Sequence, residues 1–198
     1  MKINLSKKFI FLGLISIFII TSLVMFSFAS EEKDYINRAL KLIDEEKYNE
    51  AVGELEEALM VVRSKAKLEY VNVLFAEEIE GFGIYNPREN ATFTQGEIFI
   101  IYGEPRNFSA KEVEKGFYEI YLKEDLYILD QDNNILFGQI DFGEFHNISH
   151  QQNSEIIFTT TVEQIDPFPI GNYKFRLVLK DVFSQKTTEV TIDFTVVE

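Results

Sequence analysis

From Asp34 to about Lys67 the apolar positions recur at helical spacing. Ile36, Leu40 and Ile43 fall at i, i+4 and i+7, and Ala51, Leu55, Ala58, Leu59 and Val62 continue the pattern. The polar stretch 45-EEKYNE-50 separates the two runs, so two amphipathic helices lying antiparallel are predicted. After Leu68 the period changes to two, and β-branched and aromatic residues dominate. Seven strands are predicted, over about 70–79, 97–104, 117–129, 135–142, 155–162, 172–181 and 188–197. In 172-NYKFRLVLKD-181 the inward set is Tyr173, Phe175, Leu177 and Leu179, and the outward set is Lys174, Arg176, Val178 and Lys180. In the last strand Val190, Ile192, Phe194 and Val196 face inward. In 117–129, Tyr118, Ile120, Leu122, Leu126 and Ile128 share a face. Turn signals at 86-NPREN-90, 130-DQDNN-134, 166-DPFPIGN-172 and 181-DVFSQK-186 punctuate the strands. The predicted class is mostly β: an N-terminal α-helical hairpin (30–67), then an antiparallel, immunoglobulin-like β-sandwich (68–198).

The helical segment 48-YNEAVGELEEAL-59 resembles the second half of a tetratricopeptide repeat. Ala51, Leu55 and Ala58 stand at that family's small–large–small spacing, with Tyr48 ahead of them. Ala39, Leu42 and Tyr35 match the first helix, while Arg38 replaces an aliphatic residue and Arg63 stands where a closing proline is usual. The resemblance covers one repeat. Small residues let two helices approach and large ones fill the groove, so any amphipathic hairpin shares the same physics. A lone repeat leaves apolar faces uncovered, which implies packing against a following domain, a partner's helices or a second copy.

The run from Pro169 through Gly171, Tyr173, Leu177, Leu179 and Asp181, followed by an alternating strand ending in Phe194-Thr195-Val196, is similar to the closing hairpin of bacterial immunoglobulin-like and fibronectin type III-like domains. Tyr173 falls where those folds place a tyrosine corner. The cysteine and tryptophan of antibody-type domains are both missing. The resemblance implies a scaffold, and such scaffolds host many functions.

The N-terminus adds a location. Lys2, Lys7 and Lys8 precede an apolar run from Phe9 to Phe28, which closes on Ser27-Phe28-Ala29. Basic start, apolar middle and small-residue exit read as a signal peptide over 1–29. The run is also long enough to span a bilayer, so an uncleaved anchor is the other reading. Either one places residues 30–198 outside the cytoplasm: periplasmic, secreted or at the cell surface. Membrane attachment is expected only through that segment.

Charge and cysteine content narrow the function. The formal net charge is −14, from 19 basic and 33 acidic residues. Three of those basic residues and no acid precede position 30, so residues 30–198 carry −17. That balance argues against nucleic acid and anionic lipid as partners. With no cysteine there is no disulfide, thiolate metal site or thiol nucleophile.

Candidate chemistry is sparse. His146 and His150 are the only histidines, spaced as a metal pair would be on a helix. Their segment, 144-EFHNISHQQN-153, reads instead as a polar loop and lacks the glutamate of zinc hydrolases. Glu124 and Asp125 are neighbours on a strand and point to opposite faces. No nucleophile elbow or phosphate-cradling glycine loop occurs. No cofactor, metal or catalytic residue is therefore expected. Binding residues are sought among aromatics on loops and outward faces: Phe82, Ile84 and Tyr85 in the segment 81–97, and Tyr121 and Tyr127 on a strand. The expected function is a non-catalytic interaction or structural module, with a protein docking on the helical hairpin or the 81–97 segment. A carbohydrate-binding module is the alternative, with glycan as ligand, and a metal-dependent enzyme using the two histidines is a third reading.

Overall fold

The structure is a computed structural model, and residues 30–198 are described here. The export signal read in 1–29 lies outside the described residues. The chain divides at Val61–Val62 into two compact units.

The first unit is built on a helical hairpin, α1 (Glu31–Asp44) and α2 (Tyr48–Lys65). Glu31, Glu32 and Asp34 sit in the first turn of α1 and Lys41 in its last, each complementing the helix dipole. The helix stops where Glu46 takes a left-handed φ of 58°. There the Lys47 amide reaches back to the Leu42 carbonyl at 2.8 Å and the Glu46 amide to that of Ile43. This is a Schellman stop with glutamate at the position glycine usually fills. Ala39, Ala51 and Ala58 are the buried residues of the helices. Arg38, the departure from the repeat pattern, bonds Glu54 at 2.8 Å and lies over the Tyr35 ring.

The second unit is a sandwich of two sheets. Ten strands form: β1 (Glu69–Gly81), β2 (Ile84–Pro87), β3 (Thr92–Thr94), β4 (Phe99–Arg106), β5 (Lys111–Glu114), β6 (Phe117–Leu129), β7 (Ile135–Ser149), β8 (Phe158–Val162), β9 (Gly171–Asp181) and β10 (Thr187–Val197). One sheet has the order β2-β1-β4-β8, the other β3-β10-β9-β6-β5, with β7 also on β6. All pairs are antiparallel except β3 with β10.

Three strands beyond the seven expected are short and lie where turn residues dominate the local sequence. The 81–97 segment holds β2 and β3, whose side chains alone carry too little alternation to be read. The strand expected at 135–142 continues to Ser149, because its polar second half pairs with β6 through Tyr121↔His146 and Tyr118↔Ser149. The polar loop expected around His146 is thus a strand, and a cross-strand partner overrides its loop-like composition.

The core joins the sheets mainly through aromatics. Phe75 and Phe99 of one sheet meet Phe93, Phe175 and Phe194 of the other, with Phe99–Phe194 centroids 4.9 Å apart and Phe175–Phe194 stacked at 4.5 Å. Tyr173 donates its hydroxyl to the Pro169 carbonyl at 2.9 Å, four residues upstream, as a tyrosine corner does. The turn into β10 is tied by Asp181, which is buried. Its carboxylate accepts the Ser109 amide at 2.7 Å, the Phe183 amide at 2.9 Å and the Ser184 hydroxyl.

One member of the core is a carboxyl. Glu124 lies on the same face of β6 as Ile120, Leu122, Leu126 and Ile128 and is fully buried. It accepts the Tyr70 hydroxyl of β1 at 2.9 Å and the Thr160 hydroxyl of β8, so it bridges the sheets. Burial pushes its pKa from 4.5 to about 7 against those two hydrogen bonds. The same burial drives the Tyr70 phenol well above its ordinary value. Gly103 makes room for the Tyr70 ring, since a Cβ there would meet it at 2.2 Å.

Two outcomes are expected. Glu124 holds its proton more tightly folded than unfolded, so it favours the fold below pH 4.5 and loses that advantage as pH rises to about 7. Urea unfolding of the wild type and of Glu124→Gln from pH 4 to 8 is expected to show their stability difference shifting by about 3 kcal/mol against the wild type. A flat difference would refute the assignment. Gly103→Ala is expected to destabilise by about 1–3 kcal/mol, because the tethered Tyr70 ring has nowhere to move.

Candidate functional site

Among the described residues outside the sandwich, the helical hairpin exposes a set of large apolar side chains. Ile36, Leu40 and Ile43 form one stripe of α1 and Val52, Leu55 and Leu59 one of α2, and each is 39–56% exposed. Tyr48 is exposed beside them. The hairpin uses its alanines to close on itself and leaves its large residues outward, so its apolar face has the character of a docking surface.

The 81–97 segment is more constrained than a free loop. Gly83, with φ 69°, turns the chain between β1 and β2. Its amide donates to the Tyr102 hydroxyl at 2.9 Å, and that hydroxyl donates to Glu104 at 2.9 Å. Asn72, at a left-handed φ of 51° in a bulge of β1, donates to the other Glu104 oxygen at 2.9 Å. Burial alone would raise the Glu104 carboxyl. The bonds from Asn72, Tyr102 and Arg106 outweigh it and hold the group below its usual range. Tyr85 lies on the Tyr102 ring with centroids 4.1 Å apart, covering this network. Arg88 pins the remainder: it pairs with Glu97 at 2.6 Å, donates to the Thr92 carbonyl at 2.7 Å and lies over the Phe93 ring. Of the three residues predicted here, Tyr85 thus has a packing role, while Phe82 and Ile84 stand exposed at the tip.

Tyr121 and Tyr127 lie on the other sheet, on its outer face. They therefore form no single site with Phe82, Ile84 and Tyr85. Six residues apart on one strand, they are about 20 Å from each other. Tyr121 stacks on His146 and donates to Glu144 at 3.0 Å. Tyr127 lies beneath the Arg176 guanidinium and covers Gly138. Between them an ion cluster crosses three strands. Lys180 bonds Asp125 at 2.5 Å and Asp141 at 2.6 Å, and Lys123 bonds Asp141 at 2.7 Å. The two lysines hold Asp141 below its usual range. Beside Tyr121, a shallow groove of about 330 Å³ is lined by Lys123, Lys180, Lys186 and Thr187.

His146 faces Glu119 at 2.7 Å, and His150 packs on the Phe117 ring. Four residues apart along an extended chain, the two imidazoles are separated by about 13 Å, beyond the reach of a shared ion. Among the described residues no cluster of three or more His, Cys, Asp or Glu has metal-binding geometry, and no helix is long and apolar enough to cross a membrane.

Sequence reasoning missed the buried carboxyls Glu124 and Glu104. For Glu124 the signal was present: the alternation that turns Ile120, Leu122, Leu126 and Ile128 inward turns residue 124 inward too.

The chain matches no protein-family profile and no curated protein sequence. In structure it is similar to the C-terminal domain of wzt, at 12% identity and a TM-score of 0.41, over 67% of this chain and 75% of that one. It is similar to Spo0M, a sporulation control protein from Bacillus subtilis, at 11% identity and a TM-score of 0.37, over 67% of this chain and 50% of that one. It is also similar to a Bacteroides uniformis beta-glucuronidase, at 10% identity and a TM-score of 0.33, over 62% of this chain and 13% of that one. The similarity extends to β-rich architecture and says nothing about what this chain binds.

Proposed function

We propose that the protein is a non-catalytic interaction module of an extracytoplasmic compartment, docking a protein partner on the apolar face of its helical hairpin. The observation that carries this reading is the outward set Ile36, Leu40, Ile43, Val52, Leu55 and Leu59. A fully buried side chain of this kind contributes about 1.5–3 kcal/mol relative to an exposed one, so the face has a strong drive to be covered. Helices of a partner fit such a face best, since ridges of one hairpin seat in grooves of another. The basic, apolar and small-residue order of 1–29 supports export.

A carbohydrate-binding accessory role is the second reading, favoured by the lysine-lined groove beside Tyr121. Against it, Tyr121 and Tyr127 each have a ring face already engaged, by His146 and Arg176, which narrows the platform either ring offers a sugar.

Crosslinking in the extracytoplasmic fraction separates the two. The full chain is expected to crosslink a defined partner through residues of 36–59, and the double variant Leu40→Glu, Leu55→Glu to lose it while keeping its circular dichroism and melting transition. Crosslinks that map to the sandwich and persist in the double variant would sink the docking role of the hairpin. Binding on a glycan array that survives the double variant and falls with Lys123→Ala would favour the carbohydrate reading.

A further inference from the structure

Strand pairing sets two polar rows on the outer face of the six-stranded sheet. Thr92 of β3, Thr195 of β10 and Asn172 of β9 stand side by side in one row, and Asp193 and Lys174 in the next. These residues point outward, because Phe93, Phe175, Phe194 and Val196, which alternate with them, are buried in the core. The turn between β6 and β7 flanks the rows on one side. Lys174 holds it there, donating to the Asn133 side chain at 2.7 Å and to the Gln131 carbonyl at 3.4 Å. Asp130 braces the same turn by accepting the Asn134 amide at 2.8 Å. On the other side the Thr195 amide donates to the Ala91 carbonyl at 2.8 Å and fixes residues 91 and 92 beside β10. Between the two flanks lies a groove of about 400 Å³, whose polar lining is Thr92, Gln131, Asn172, Lys174, Asp193 and Thr195.

Several of these groups are held in place yet have bonding capacity to spare. Thr195 donates its hydroxyl to the Asn172 amide oxygen at 2.8 Å, which leaves the Asn172 amide nitrogen without an acceptor. Lys174 stands opposite Asp193 in the register, yet its ammonium reaches for the turn and makes no ion pair with it. The Asp193 carboxylate, the Thr92 hydroxyl and the Gln131 side-chain amide have no partner among the described residues. The lining holds one ammonium and one carboxylate, so it is neutral in a chain of formal net charge −14. An anion in the groove would meet Asp193, and a cation would meet Lys174. A fitting molecule carries no net charge, gives hydrogen bonds to the carboxylate and takes them from the amides beside it. Hydroxyls do both, and neighbouring hydroxyls on one ring can serve the two oxygens of a carboxylate together. A peptide group, with its N–H and C=O on opposite sides, cannot. Asp193 and Asn172 are diagonal neighbours across the strand pair, about 7–8 Å apart, a span suited to a single sugar ring.

We propose that this groove binds one ring of a neutral saccharide. Asp193 accepts from a pair of neighbouring ring hydroxyls, and Asn172 and Gln131 donate to hydroxyls on either side. Recognition is by hydrogen bonds and draws on neither Tyr121 nor Tyr127. The proposal goes beyond the hairpin reading. It shares the ligand class of the second reading but not its groove, so each of the three can fail alone.

The test is amide NMR titration of the isotope-labelled full chain with glucose, galactose, mannose, N-acetylglucosamine, cellobiose, lactose and chitobiose at millimolar concentration. At least one is expected to shift the amides of 91–92, 131, 172–174 and 193–195 together. Glucuronate, galacturonate and glucosamine are expected to bind more weakly than the best neutral sugar. Asp193→Asn is expected to weaken that sugar at least about tenfold, the worth of a hydrogen bond to a charged group. Asn172→Ala is expected to weaken it about threefold or more. Both side chains are exposed, so the melting transition is expected to stay in place. Lys123→Ala and the hairpin variant Leu40→Glu, Leu55→Glu are expected to keep the binding. No shift of these amides by any of the sugars would overturn the proposal. So would undiminished binding by Asp193→Asn, tighter binding of a charged sugar, or equal shifts from acetylated dipeptide amides. Sugar binding lost in Lys123→Ala and kept in Asp193→Asn would instead assign the ligand to the groove beside Tyr121.

Discussion

The contact on which the rest of the sandwich depends is the packing of five phenylalanines between its sheets. With no cysteine, no covalent tie crosses the domain. Phe75 and Phe99 from one side and Phe93, Phe175 and Phe194 from the other interlock with centroids 4.5–6.3 Å apart, in stacked, edge-on and tilted arrangements. Each well-oriented aromatic pair adds about 0.5–1.5 kcal/mol to what burial supplies. Four of the five lie on the longer strands β1, β4, β9 and β10. Short β3 joins the set by lying parallel to β10, where Phe93 completes the cluster. The parallel pair is thus explained by the residue it delivers.

Beside that cluster the core continues through aliphatic side chains such as Ile101, Leu122, Leu126 and Leu177, and a polar contact is set among them. Glu124, Tyr70 and Thr160 tie β6 to β1 and β8 in the interior. A carboxyl in that position costs stability when ionised, and its two hydroxyl donors offset only part of the cost.

The hairpin follows the opposite logic. Its small residues are inside and its large ones outside, because alanines at 39, 51 and 58 let the helices approach closely and leave little room between them for leucine or isoleucine. A domain folding for itself alone would reverse that assignment. The acidic surface around both units then filters partners by charge.

The local alternation of β9 and β10 was legible in the sequence, as were the two helices, the tyrosine corner and the turns at 130–134 and 181–186. In each case the signal lies in residues that are neighbours in the chain: a period of 2 or 3.6, or a side chain bonding its own backbone a few positions away. Tertiary structure alone decided the rest. It showed that β7 extends through His146, that β2 and β3 exist, that Tyr85 lies on the Tyr102 ring, and that among the described residues β7 finds no second strand partner. Each of these depends on what a distant segment presents, since an edge is defined by a strand that fails to arrive and a buried hydroxyl by the carboxylate it meets. Glu124 stands between the two cases. The alternation of β6 turned it inward, but only the arrival of Tyr70 and Thr160 from the facing sheet made that position tenable.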